Sequence, residues 1–123
     1  MNVVDQGHIY PFTLTRVING DTVEGIVDVG FDLATKQRFR LQGVIAPSLR
    51  SKDKNELERA KAAKMWLQAR LDKKRIIIQS HKTGKFGKYL ATLFVEGSNV
   101  NQELLSVGHA APFGQATGGK NAP

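Results

Sequence analysis

Two short stretches carry side chains able to hold a phosphate. Asn19-Gly20-Asp21-Thr22 sets a carboxylate at a tight turn, and Arg38-Phe39-Arg40-Leu41 sets two guanidinium groups on one face of an alternating segment. A strand-end carboxylate can ligate a hard cation, while a neighbouring guanidinium grips phosphate through paired hydrogen bonds. Asp21 could equally tie its own turn, because aspartate side chains bond backbone amides close by. Arg40 could equally bond turn carbonyls. A third cluster sets Lys82, Lys85 and Lys88 around Phe86 in a glycine-containing loop. Lysines interleaved with an aromatic suit a single-stranded nucleic acid, though such a loop also reads as a solvated surface. His8, His81 and His109 are scattered without triad or metal spacing and receive no catalytic role.

The elements that must position these groups follow from periodicity. Residues 9–18 alternate as a half-buried strand, with Pro11 near its start, and Asn19-Gly20 is a tight-turn signal. A second strand runs over 22–29, with Val23, Gly25, Val27 and Val29 on one face. Residues 30–35 read as a loop. A third strand spans about 36–44, with Phe39 and Leu41 opposite Arg38, Arg40 and Gln42. After Pro47, Ser51 to Glu56 offers several N-capping residues. A helix to about Lys74 then carries Leu57, Ala60, Ala63, Leu67 and Leu71 as one apolar stripe, with Trp66 beside it. Residues 75–80 and 89–95 are two further strands. Asn99 can cap a second helix with Val100, Leu104 and Val107 inward and Gly108 as its stop.

Three strands, a helix, two strands and a helix predict an α+β chain built on a five-stranded Greek-key barrel of the OB type. One helix follows strand three and another closes the C-terminus. The expected organisation is a lead-in over 1–8, one domain over 9–111 and a flexible tail over 112–123. The 123 residues suit a single core. The absence of cysteine excludes disulfides and thiolate zinc sites. No apolar run approaches a membrane span of about 20 residues, and the first residues lack signal-peptide character, so a cytoplasmic or virion-associated setting without membrane contact is expected. The formal net charge of +7 points toward polyanionic partners. Residues 50–75 hold ten basic and four acidic side chains, which reads first as a wet helix face.

Four motifs in order resemble the staphylococcal nuclease (thermonuclease) family: Asn19-Gly20-Asp21-Thr22; Phe39-Arg40-Leu41 with Val44-Ile45-Ala46-Pro47-Ser48; Gly84-Lys85-Phe86-Gly87-Lys88-Tyr89-Leu90-Ala91; and Asn99-Val100-Asn101 with Leu104, Leu105 and Gly108. Val27-Asp28-Val29-Gly30-Phe31 is similar to the family's phage-encoded branch. The family hydrolyses DNA and RNA phosphodiesters with Ca²⁺. The resemblance implies that Asp21 matches one metal carboxylate and that Ala46 lends a backbone carbonyl. It also implies that Arg40 and Lys88 occupy the two phosphate-clamping positions, where the family has arginines. It places the second metal carboxylate at Ile45 and the general-base carboxylate at Ser48, neither of which carries one. The family's acidic residues at the loop start and the turn fall on Gly84 and Asn19. Phe113 lies near a base-facing aromatic, or anchors the tail.

Ca²⁺ takes about six to eight oxygens and binds more tightly as more of them are charged. Serine is not basic enough to activate water at neutral pH, and lysine lacks the planar fork of arginine. The expectation is therefore a degenerate nuclease fold, a pseudoenzyme. It would bind nucleic acid through Lys82, Lys85, Phe86 and Arg40, or serve as a structural part of a larger assembly such as a phage particle. No cofactor is expected, with weak residual Ca²⁺ at Asp21 only if activity persists. The alternative is an active Ca²⁺-dependent phosphodiesterase using Asp21, Arg40 and Lys88 with an unidentified base, for which Glu56 and Glu58 are the nearby carboxylates. Oligomeric state is left open.

Overall fold

The computed structural model describes residues 8–81 and 89–113. Strands β1 (Ile9–Asn19), β2 (Thr22–Gly30) and β3 (Leu33–Leu41) form an antiparallel meander, followed by a short β4 (Val44–Ile45) and helix α1 (Lys54–Leu71). Strands β5 (Ile76–His81), β6 (Tyr89–Val95) and β7 (Ser98–Asn99) lead into α2 (Val100–Ser106) and a short β8 (Ala111–Pro112). The main sheet runs β3-β2-β1-β5-β6-β7, and a parallel pairing of β3 with β6 closes the five long strands into a barrel. The predicted α+β barrel with two helices is the observed fold.

Closure needs a strongly coiled β1, since it pairs with both β2 and β5. Register shifts between Leu14 and Arg16 and between Val17 and Asn19 provide it, because a bulge adds twist and bend. Gly25 lets the bent strands touch: a Cβ there would lie 2.3 Å from the Thr13 carbonyl oxygen and 2.5 Å from the Phe12 ring. The alternation read from sequence sends Val23, Val27, Phe39 and Leu41 inward, joined by Ile78 and Leu93. Phe12 and Phe39 meet edge to face at 5.9 Å, a favoured aromatic geometry.

Helix α1 starts where Asp53 accepts from the Asn55 amide. Its buried stripe is Ala60, Ala63, Leu67 and Leu71, and it stops at Leu71 rather than continuing to Lys74. Lys73 takes φ +57°, outside helical space. The predicted loop over 30–35 is shorter in the structure. Gly30 pairs with Leu33 across a two-residue turn of Phe31 and Asp32, so β3 begins three residues earlier than its periodicity suggested. The tail expected from 112 is tied at its start: Pro112 pairs with Val44, and the Phe113 amide donates to the Gly43 carbonyl at 2.9 Å. No helix among the described residues is long and apolar enough to cross a membrane.

Arg70 of α1 clasps Glu103 of α2 through Nε at 2.6 Å and a terminal nitrogen at 3.1 Å. That hydrogen-bonded guanidinium holds the Glu103 carboxyl below its ordinary value of 4.5. The folded state therefore binds this proton less readily than the unfolded chain. The pair's contribution is complete above the ordinary value and is lost as pH falls through the lower folded one. Glu103→Gln is expected to cost about 1 kcal/mol near neutral pH. Urea melts should show the gap to wild type closing in acid.

Candidate functional site

The β1–β2 turn, the end of β3 and the segment after β4 enclose a cleft of about 550 Å³. Asp21 sits at its base, 7% exposed. The turn forms because the Asn19 side chain accepts from the Asp21 amide at 2.9 Å, and the Asp21 carbonyl accepts from the Leu41 amide at 2.8 Å. The carboxylate faces the other way. Its Oδ1 accepts from the Thr22 hydroxyl at 2.9 Å, and its Oδ2 accepts from the Ala46 amide at 2.8 Å. Asp21 thus lashes the segment after β4 to the first hairpin. Gly20 brings that segment close to α1: a Cβ there would fall 2.7 Å from the Ala46 Cβ and 2.8 Å from the Ala63 Cβ.

Arg40 lies in register between Thr22 of β2 and Leu90 of β6. One of its terminal nitrogens is 3.9 Å from Asp21 Oδ2, a long ion pair with Arg40 still 31% exposed. The structure therefore joins the carboxylate and the guanidinium that the sequence singled out. Phe113 completes the arrangement, its ring centroid 4.9 Å from the Arg40 guanidinium carbon. This cation–π contact and the hydrogen bond from the Phe113 amide to the Gly43 carbonyl tie the start of the tail to the cleft.

Arg38 and Arg50 also line the cleft. Glu24 holds Arg38 at 3.3 Å and Arg16 at 3.1 Å. The Arg16 hydrogen bond, then that of Arg38, keeps its carboxyl below the ordinary range. Sequence reading missed this clamp. Its signal was cross-strand charge, since Glu24 and Arg38 are direct partners in the β2–β3 register. Arg50 was also missed, read only as part of a basic stretch.

Ile45 lines the cleft as a partly exposed aliphatic side chain, and Ser48 lines it nearby. Glu56 accepts from the Ser48 amide at 3.4 Å and from the Ser51 hydroxyl at 2.7 Å. It shapes the segment leading into α1. Glu58 is exposed on that helix. Lys82, Lys85, Phe86 and Lys88 lie outside the described residues, between the paired ends of β5 and β6.

The cleft presents one carboxylate, Asp21, whose two oxygens each accept a protein hydrogen bond, beside the aliphatic Ile45. No group of three or more His, Cys, Asp or Glu side chains is suited to a metal among the described residues. Three guanidinium groups, Arg38, Arg40 and Arg50, line the cleft with the Asp21 carboxylate, and Glu24 engages Arg38.

The model of the family described as staphylococcal nuclease homologue matches residues 38–121, more than half of the chain. The chain belongs to the staphylococcal nuclease homologue family. The match takes in Arg40, Ile45, Ser48 and Phe113, and it begins after the Asn19–Thr22 turn. Strand β2 pairs directly with β3, which brings Asp21 beside the matched segment. No curated protein matches the chain in sequence.

Proposed function

We propose that this nuclease-fold protein binds nucleic acid and has lost efficient phosphodiester cleavage. One observation carries the reading: the single cleft carboxylate is held by the Thr22 hydroxyl and the Ala46 amide; the resemblance adds that Ile45 and Ser48 fall where the family bears its other carboxylates. Removing a general base alone lowers rates by about 10²–10⁴-fold, and loss of metal affinity compounds that without simple additivity. Arg38, Arg40 and Arg50 remain and favour a phosphate backbone, with Lys82, Lys85, Lys88 and Phe86 as further contacts from the β5–β6 connection. The pairing of Arg40 with Asp21 favours a second reading, residual Ca²⁺-dependent hydrolysis with Lys88 as the other clamp.

Fluorescence anisotropy with a single-stranded DNA oligonucleotide tests the proposal. Affinity is expected to fall at least about tenfold between 50 and 200 mM salt, as release of counterions from roughly three phosphates requires. Arg40→Ala should reduce the logarithmic salt slope by about one. Binding that ignores salt, or no binding, would contradict it and favour a structural part in a larger assembly, for which the likeness of Val27–Phe31 to the phage-encoded branch is the support.

A further inference from the structure

Among the described residues, the tip of the β2–β3 hairpin carries the most exposed aromatic side chain, Phe31. Residues 28–34 extend past the last β1–β2 pair, Phe12 with Val27, yet they stay paired to the tip. At that tip Phe31 is 95% exposed and Leu33 61% exposed. Phe31 and Asp32 both hold positive φ, +57° and +61°. A left-handed turn suits hairpin twist but normally recruits Asn or Gly, and a bulky aromatic there is a true outlier. Asp28 stiffens the tip by accepting from the Gly30 amide at 2.9 Å. The knob is thus apolar at its point and flanked by two carboxylates, Asp28 and Asp32, in a chain of net charge +7.

A groove of complementary character opens on the other edge of β1. Strand β5 pairs with β1 from Ile9 to Phe12 and no further. Beyond it a depression of about 660 Å³ lies between β1 and the end of α1, with the half-buried Leu14 and Ile77 as its accessible apolar lining and three cations, Lys73, Lys74 and Arg75, against one carboxylate, Asp72. Strand β2 pairs along the opposite edge of β1, so a molecule's own hairpin cannot turn into its own groove. The acidic flanks also oppose insertion of the tip into an anionic lipid surface.

We propose that the Phe31 hairpin of one molecule docks into the β1–α1 groove of a second copy. Phe31 and Leu33 would meet the apolar lining, and Asp32 would face the Lys73–Arg75 cations. Because knob and groove are different surfaces, the contact is heterologous and extends to a ring or an open chain of copies. A central aromatic anchor ringed by charge is the usual anatomy of an energetic hot spot.

Sedimentation velocity on the full chain, at low salt and up to about 500 μM, tests this within the range of weak self-association. The weight-average mass should rise with concentration. Phe31→Ser and Lys74→Glu should each weaken association about tenfold or more. Lys74→Glu combined with Asp32→Lys should recover most of the loss, which a merely misfolded variant could not do. Unchanged thermal transitions would show that the single variants fold. A chain that stays monomeric throughout overturns the proposal. Association untouched by Phe31→Ser and Lys74→Glu, or a charge swap that recovers nothing, overturns it as well.

Discussion

Asn101→Leu is expected to remove about 3–5 kcal/mol of stability, close to the whole margin of a small domain. Asn101 is 3% exposed near the start of α2. Its Oδ1 accepts from the Leu93 amide at 3.2 Å, and its Nδ2 donates to the Gln42 carbonyl at 2.9 Å and the Ala91 carbonyl at 3.0 Å. One side chain therefore fastens α2 to the seam where β3 meets β6. Leucine keeps its branched skeleton, is bulkier, and supplies none of these bonds. The Leu93 amide and the Gln42 carbonyl would lose this partner, while the Ala91 carbonyl keeps the Gln42 amide at 2.8 Å. Each buried group left unsatisfied costs about 1–3 kcal/mol. Asn101→Asp should fare little better, since a carboxylate would face two carbonyl oxygens. Chemical denaturation measures both, and a loss under about 1 kcal/mol for the leucine variant would contradict this role.

Asp21→Ala should cost about 2–3 kcal/mol, because charge-assisted hydrogen bonds to buried carboxylates are among the stronger ones. The loss includes the Ala46 amide left without its partner and the relaxation of the cleft wall that this amide anchors. Asp21→Asn retains an acceptor and should cost about 1 kcal/mol. The comparison separates a structural carboxylate from a metal ligand. A ligand held for a cation gains stability from that cation by mass action, and its removal would abolish a Ca²⁺-dependent rise in melting temperature. A structural Asp21 predicts that the loss is the same with millimolar Ca²⁺ and with chelator. Destabilisation that Ca²⁺ selectively enlarges would restore the metal reading.

The barrel was legible because its strands alternate cleanly. Phe39 and Leu41 against Arg38 and Arg40 set the inner and outer faces of β3, and the α1 stripe from Ala60 to Leu71 reads at helical spacing. Both survive in the structure as burial. The Phe31–Asp32 turn was not legible, because Phe is a poor left-handed residue and nothing local announces it. The pairing of Val44–Ile45 with Ala111–Pro112 was hidden for another reason: two-residue strands have no periodicity, and their partners lie far apart in the chain. At the site, residue types gave Asp21 and Arg40 and their convergence. They could not give the Ala46 amide or the Phe113 ring, whose contacts depend on where the tail returns. Arg38 shared Arg40's face in the sequence, but only the β2–β3 register showed that Glu24 engages it. Asn101 was visible only as part of a motif, since its partners Gln42 and Ala91 come from other strands.

The most direct test of a binding cleft without efficient chemistry is a cleavage assay on the same single-stranded DNA used for binding. It is run with millimolar Ca²⁺ at a protein concentration that saturates the oligonucleotide, beside the Asp21→Asn and Arg40→Ala variants. Bound but intact DNA over hours, with salt-sensitive affinity, is the predicted result. Ca²⁺-dependent cleavage by the wild type that Arg40→Ala abolishes would contradict it.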